Sequence, residues 1–216
     1  MMDRLGHILM LASLCIAGSA FGQTGPLTPL AGLRAGSLPS GFASARTGRG
    51  APAEWAVVAD PDAAGGLVLA QTGADPTDYR YPLGILADPS VANVDVSVRF
   101  KPVSGRTDQA GGLAVRVLDA DNYIVVRANA LEDNVNLYRV TKGERREIKG
   151  ASVKVASGQW HTLGLKADGQ TFTVTFDGTV LFSAMDRSIA GAGRVALWTK
   201  ADSVTGFSDL TIRTLP

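Results

Sequence analysis

Several short runs of alternating residues place aromatic and hydrogen-bonding side chains on common faces, and these residue types suit sugar recognition. In Tyr123 to Asn129, residues Tyr123, Val125, Arg127 and Asn129 share one side of a strand, while Ile124, Val126 and Ala128 take the other. In Asn134 to Val140, residues Asn134, Asn136 and Tyr138 oppose Val135, Leu137 and Arg139. In Arg194 to Lys200, residues Arg194, Ala196, Trp198 and Lys200 oppose Val195, Leu197 and Thr199. Arg116 stands opposite Leu113, Val115 and Val117. If these strands adjoin, one face collects Arg116, Tyr123, Arg127, Asn129, Asn136, Tyr138, Trp198 and Lys200. Aromatic rings stack on the apolar faces of sugars, and Asn and Arg donate directional hydrogen bonds to hydroxyls. A plain solvated sheet face has a similar polar composition; Trp198, if exposed, favours a ligand, and a slip of one residue in the strand's phase would instead make it a core residue.

The candidate acids are few. The chain holds four glutamates, Glu54, Glu132, Glu144 and Glu147, and none forms a Glu-x-Asp-x-Glu run that would set two carboxylates on one strand face. A two-carboxylate retaining glycosidase is therefore not expected. Glu132 and Asp133 lie in the turn Ala130 to Asn134 between polar-faced strands and are the available general acid or base, with a solvated hairpin turn as the alternative. The cluster Asp119, Asp121 and Asn122 could hold a structural calcium, but it has neither the length nor the glycine of a dedicated loop, and a hairpin turn is the simpler reading. No cofactor and no catalytic metal are expected. His161 is the only histidine beyond the first 22 residues, and it alternates with core leucines as a packed residue would. Arg145 and Arg146, with Lys142 and Lys149, read as a solvated basic hairpin tip.

The elements that must position these residues are strands. Residues 159–182 alternate strictly and are broken by Asp168-Gly169 and Asp177-Gly178, a strong signal for antiparallel hairpins. From Glu54 onward, short strands recur with turn signals between them, and no helix beyond a turn near 186–190 is expected. This predicts an all-β fold, a two-sheet antiparallel β-sandwich. The formal net charge is +1, which gives no reason to expect a nucleic-acid partner.

The first 22 residues carry Arg4, an apolar run from Ile8 to Ala17, and Ala20-Phe21-Gly22, which predict a signal peptide cleaved before Gln23. Cys15 is the only cysteine and falls inside that run, so the remaining chain relies on its core and not on disulfides. A periplasmic or extracellular protein follows, with no membrane segment after cleavage and a monomer or unassigned oligomer as its state. Residues 23–37 read as a flexible linker, and 38–216 as the domain.

The order Trp160, strand, Asp-Gly turn, strand, Asp-Gly turn, strand and Gly193-Arg-Val-Ala-Leu-Trp198 resembles the concanavalin A-like and laminin-G-like jelly rolls. The runs at 47–55, 74–83, 94–117, 121–140 and 193–210 are similar to bacterial secreted 3-keto-disaccharide hydrolase-like domains. That resemblance implies a jelly roll using its concave sheet for a carbohydrate or glycan ligand. The expected function is a keto-disaccharide hydrolase-like or sugar-binding protein, and the alternative is a non-catalytic laminin-G-like adhesion or cell-envelope module.

Overall fold

The computed structural model describes residues 26–216. The signal-peptide reading and its cleavage point lie outside them. The chain forms β1 (Gly36–Ser37), β2 (Phe42–Gly48), β3 (Trp55–Ala59), β4 (Leu67–Gln71), β5 (Arg80–Leu86), β6 (Val94–Ser104), β7 (Ala110–Asp119) and β8 (Asn122–Asn129). It continues with β9 (Asn134–Thr141), β10 (Glu144–Ser152), β11 (His161–Asp168), β12 (Thr171–Phe176), β13 (Thr179–Met185), β14 (Arg194–Trp198) and β15 (Val204–Thr214). Two antiparallel sheets result: one of 8 strands in the order β1-β3-β4-β15-β6-β11-β12-β13, the other of 7 in the order β10-β9-β8-β7-β14-β5-β2. This is the two-sheet antiparallel β-sandwich that the alternation predicts, of the jelly-roll type that the resemblance implies.

The Asp177-Gly178 turn has positive φ at both residues, as does Lys142-Gly143 between β9 and β10. That geometry matches the twist of the strands it joins and fixes their register. The main core fills the gap between the sheets. Val96, Val98, Phe100, Leu163, Leu165, Phe172 and Phe207 meet Leu113, Val115, Ile124, Val126, Leu137 and Leu197.

The stretch expected to be a flexible linker is ordered where it is described. Leu27 N–H donates to Ile212 O at 2.8 Å and Ile212 N–H donates back to Leu27 O at 2.9 Å. Leu30 is buried in the core, and Gly36–Ser37 pairs with β3. The Gly and Pro content signals a lack of periodicity, but its leucines find apolar surface along the sandwich edge.

The seven-stranded sheet is strongly curled. Arg145 lies on its edge strand β10, and its guanidinium sits 5.0 Å from the ring centre of Tyr81 on β5. In a flat sheet those strands would be roughly 24 Å apart at about 4.8 Å per strand. Curling also brings the β9–β10 turn to the opposite edge, where a Cβ on Gly143 would lie 3.9 Å from Thr47 Cγ2 of β2. The face turned away from the main core is therefore concave and partly closed, and it builds a second small core from Tyr81, Leu83, Ala110, Ala114, Tyr123, Val125, Tyr138 and Trp198.

Candidate functional site

The centre of the concave face is β7, which presents Ala110, Gly112 and Ala114. A Cβ at Gly112 would stand 2.6 Å from Val126 O and 3.2 Å from Trp198 Cε3, so only glycine lets the indole lie so close to the sheet. Trp198 stacks on Tyr81 with ring centres 5.4 Å apart. Its Nε1–H donates to Tyr123 Oη at 3.1 Å, and Tyr123 Oη shares a 2.8 Å hydrogen bond with Thr47 Oγ1. Thr47 Oγ1 also donates to Ala120 O. Burial drives the Tyr123 phenol above its ordinary range, against these hydrogen bonds. Arg145 closes the cluster. Its guanidinium lies 4.4 Å from the Tyr138 ring centre, 5.0 Å from that of Tyr81 and 5.8 Å from that of Trp198.

Next to this aromatic cluster lies a polar ledge, with Tyr138 as the boundary. Tyr138 Oη accepts from Asn136 Nδ2 at 3.0 Å, and Asn136 Nδ2 also donates to Glu147 Oε2 at 3.1 Å. Arg127 passes the other side of the Tyr138 ring at 5.6 Å. Its Nη2 donates to Glu132 Oε2 at 2.8 Å and to Asn134 Oδ1 at 2.6 Å. Burial works against the Glu132 carboxylate, but the bonds from Arg127 and Asn134 outweigh it and hold its pKa below the ordinary range.

Asp108 forms the inner wall of the ledge. It is 1% exposed, accepts from Asn129 Nδ2 at 2.8 Å and pairs with Lys200 Nζ at 2.8 Å. Burial raises its pKa, and the nearby Lys200 only partly counters this. Lys200 also reaches Asp78 at 2.8 Å, and these two carboxylates outweigh its own burial to raise its pKa. Asp202 holds the segment beneath. Its carboxylate accepts from the backbone N–H groups of Arg106, Thr107 and Asp108 at 2.8–3.1 Å, and these outweigh burial to lower its pKa.

The strand phases read from sequence bring Tyr123, Arg127, Asn129, Asn136, Tyr138, Trp198 and Lys200 to this face. Two expected members are elsewhere. A bulge in β7 gives Arg116 a φ of 52° and turns it off the face. Its guanidinium donates to Ala92 O at 2.9 Å, Ile189 O at 2.8 Å and Gly169 O, and lies over Phe172. Arg116 is thus a buried staple between loops. Asp133, also at positive φ, faces the 153–155 segment, accepting from Lys154 Nζ at 2.9 Å and Val155 N–H at 3.1 Å. Of the two candidate acids only Glu132 lies on the ledge.

Trp198, which would favour a ligand if exposed, is 0% exposed because Arg145 and Tyr81 cover it. Tyr123 and Asn129 are wholly buried, and Asn129 uses both ends of its amide to hold Asp108 and Leu131 N–H. Arg145 is the reverse case. It was expected to be a solvated turn residue and instead reaches across the sheet. Tyr81, Asp108, Glu147 and Asp78 were also not singled out from sequence. Tyr81 alternates with Leu83 and Ile85, but β5 is buried on both faces, so its phase carries no sign of the concave side.

His161 is a packed core-edge residue. Its Nδ1 faces Asp177 Oδ2 at 2.8 Å, Nε2 accepts from Ala156 N–H at 3.0 Å, and the ring lies against Phe100 and Phe176. Asp119 closes its hairpin by accepting from Asp121 N–H at 2.8 Å and Asn122 Nδ2 at 2.8 Å.

Other hollows are less well equipped. A cavity of about 500 Å³ beside the β9–β10 hairpin is lined by Arg139, Thr141, Lys142, Glu144, Arg146 and Ser188, with no aromatic ring. Two of its cations are already paired, Arg139 with Asp186 and Arg146 with Glu144. A shallow cavity of about 280 Å³ on the outside of the eight-stranded sheet is mostly aliphatic, with Val58, Val68, Ala70 and Val103. Its one cation, Lys101, is held by Asp60 and Asp62.

Two antiparallel sheets, the seven-stranded one curled around an aromatic floor with a polar rim, define a concanavalin A-like jelly roll. Within that class the chain belongs to the family described as the C-terminal lectin domain of galactocerebrosidase, whose model matches residues 77–215. The likeness to 3-keto-disaccharide hydrolase-like domains stays at the level of the shared sandwich. None of the curated proteins matches the chain in sequence.

Among solved structures, the carbohydrate-binding module CBM66 from Bacillus subtilis is similar at 17% identity and a TM-score of 0.66, covering 82% of this chain and 98% of that one. The Bacillus licheniformis beta-glucanase is similar at 13% identity and a TM-score of 0.57, with 90% and 100% covered. Domain 4 of the extracellular arabinanase AbnA from Geobacillus stearothermophilus, solved with arabinotriose, is similar at 16% identity and a TM-score of 0.51, with 79% and 82% covered. At these identities the likeness is one of fold.

Proposed function

We propose that this is a secreted carbohydrate-binding β-sandwich that holds a glycan on the polar ledge of its concave face. One observation carries the reading: partly exposed hydrogen-bonding groups of Glu132, Asn134, Asn136 and Glu147 surround the edge of Tyr138, with Lys200 and Asp78 beside them. Such a set meets sugar hydroxyls with acceptors and donors, and the ring of Tyr138 adds only its narrow exposed edge. Membership of a lectin-domain family supports this use of the fold. The arabinotriose complex of a domain with the same fold, and the binding-module relative, point the same way.

Binding is favoured over hydrolysis. Glu132 is ion-paired with a lowered pKa, which suits an acceptor and not a general acid. Asp108 is sealed behind Lys200, and Asp133 faces away. The expected signal peptide supports export to the periplasm or beyond.

The test is a glycan panel run on the protein and on Asn136→Ala. A hit whose affinity falls about tenfold or more in the variant, one to two lost hydrogen bonds in value, supports the ledge. An unchanged affinity removes the ledge from the reading.

A further inference from the structure

We propose that the ledge selects acidic sugars, with the ligand's carboxylate held by Arg145 beside the Tyr138 ring. The inference rests on the ledge being the glycan site and adds the class of ligand. Three cations stand on the concave face. Arg127 pairs with Glu132 at 2.8 Å, and Lys200 pairs with Asp108 and Asp78 at 2.8 Å each. Arg145 has no carboxylate within ion-pair distance among the described residues, and its Nη1 is buried without a hydrogen-bond partner. Arg127 is 1% exposed, and its Nε is buried and unpartnered in the same way.

Both guanidinium groups lie against one ring, at 4.4 and 5.6 Å from the centre of Tyr138. Ring contacts offset part of the cost of holding a half-buried cation, but they leave its N–H groups unused. A neutral hydroxyl would satisfy one N–H. A carboxylate satisfies the N–H and the charge together, in the forked geometry arginine favours. The carboxylates on the ledge are otherwise taken: Glu132 by Arg127, Asp108 and Asp78 by Lys200. Glu147, held only by the Asn136 amide, sits two positions from Arg145. It therefore favours a sugar that turns its acidic group toward Tyr138 and its hydroxyls toward Glu147.

The experiment compares polygalacturonate, alginate and hyaluronate with galactan, mannan and glucan, and adds carboxyl-reduced polygalacturonate, in which the acid becomes a neutral alcohol on the same backbone. The inference predicts that at least one uronate polymer binds roughly tenfold or more tightly than its neutral counterpart, the scale of a charge-assisted pair. Carboxyl reduction removes that advantage without any change to the protein. In Arg145→Gln the ratio of acidic to neutral affinity falls to about twofold or less, and Arg145→Lys lies between. Equal binding of acidic and neutral partners, or a preference that survives in Arg145→Gln, overturns the inference and leaves sugar binding standing. No binding to any glycan on the panel overturns both.

Discussion

The aromatic cluster and the polar ledge share one sheet face and one set of residue types, yet they do different work. In the cluster, Thr47, Tyr123 and Trp198 satisfy each other's polar atoms and are shut away from water. On the ledge, Asn136, Glu132 and Glu147 bond to neighbours but keep exposed atoms that can take further partners. Tyr138 belongs to both, with its ring under Arg145 and its hydroxyl on Asn136. The arginines divide similarly. Arg80 and Arg116 donate to backbone carbonyls and staple loops, whereas on the Tyr138 ring Arg127 keeps its Nε and Arg145 its Nη1 without a partner. Residue type does not separate framework from site here. The separation lies in whether each polar atom already has its partner.

That division can be broken by substitution, and the largest effect is expected in the cluster. Trp198→Ala empties the middle of the concave core and should lower unfolding free energy by about 3–5 kcal/mol in a denaturant melt. Arg116→Ala strands the carbonyls of Ala92, Ile189 and Gly169 and should cost about 2–3 kcal/mol, with glycan affinity of the folded protein unchanged. Tyr123→Phe leaves Thr47 Oγ1 and Trp198 Nε1 without this partner and should cost about 1–2 kcal/mol in the same assay.

Asp202→Asn tests the support beneath the ledge. The Asp202 pKa is lowered in the folded protein, so its contribution is present above its unfolded value of about 3.9. That contribution disappears as pH falls through the lowered folded value. The stability gap between wild type and variant should therefore be constant near neutrality and close only in strong acid. The smallest stability change is expected on the ledge itself. Asn136→Ala should move the melt by less than about 0.5 kcal/mol while weakening a glycan about tenfold. A melt shift as large as that of Tyr123→Phe would place Asn136 with the framework.

The sandwich was legible because period-2 alternation and Asp-Gly turns are local signals. The same alternation assigned Arg127, Asn136, Tyr138 and Trp198 to one face. It failed at Arg116 because the bulge in β7 reverses the side a residue takes, and nothing local marks that bulge. It also could not foresee that Trp198 is covered, since the covering residues, Arg145 and Tyr81, come from strands distant in sequence. Their meeting depends on the curl of the whole sheet. Asp108 was missed for a related reason: its partners Asn129 and Lys200 are 21 and 92 positions away.

The central claim is that the ledge, and not another surface, holds the glycan. Backbone amide chemical shifts followed through a titration with the best-binding glycan of the panel test it most directly. The account predicts that the perturbed residues cluster at 132–138, 144–147, 108 and 200. Shifts centred instead on Trp160, Lys101 and the aliphatic hollow of the eight-stranded sheet would contradict it.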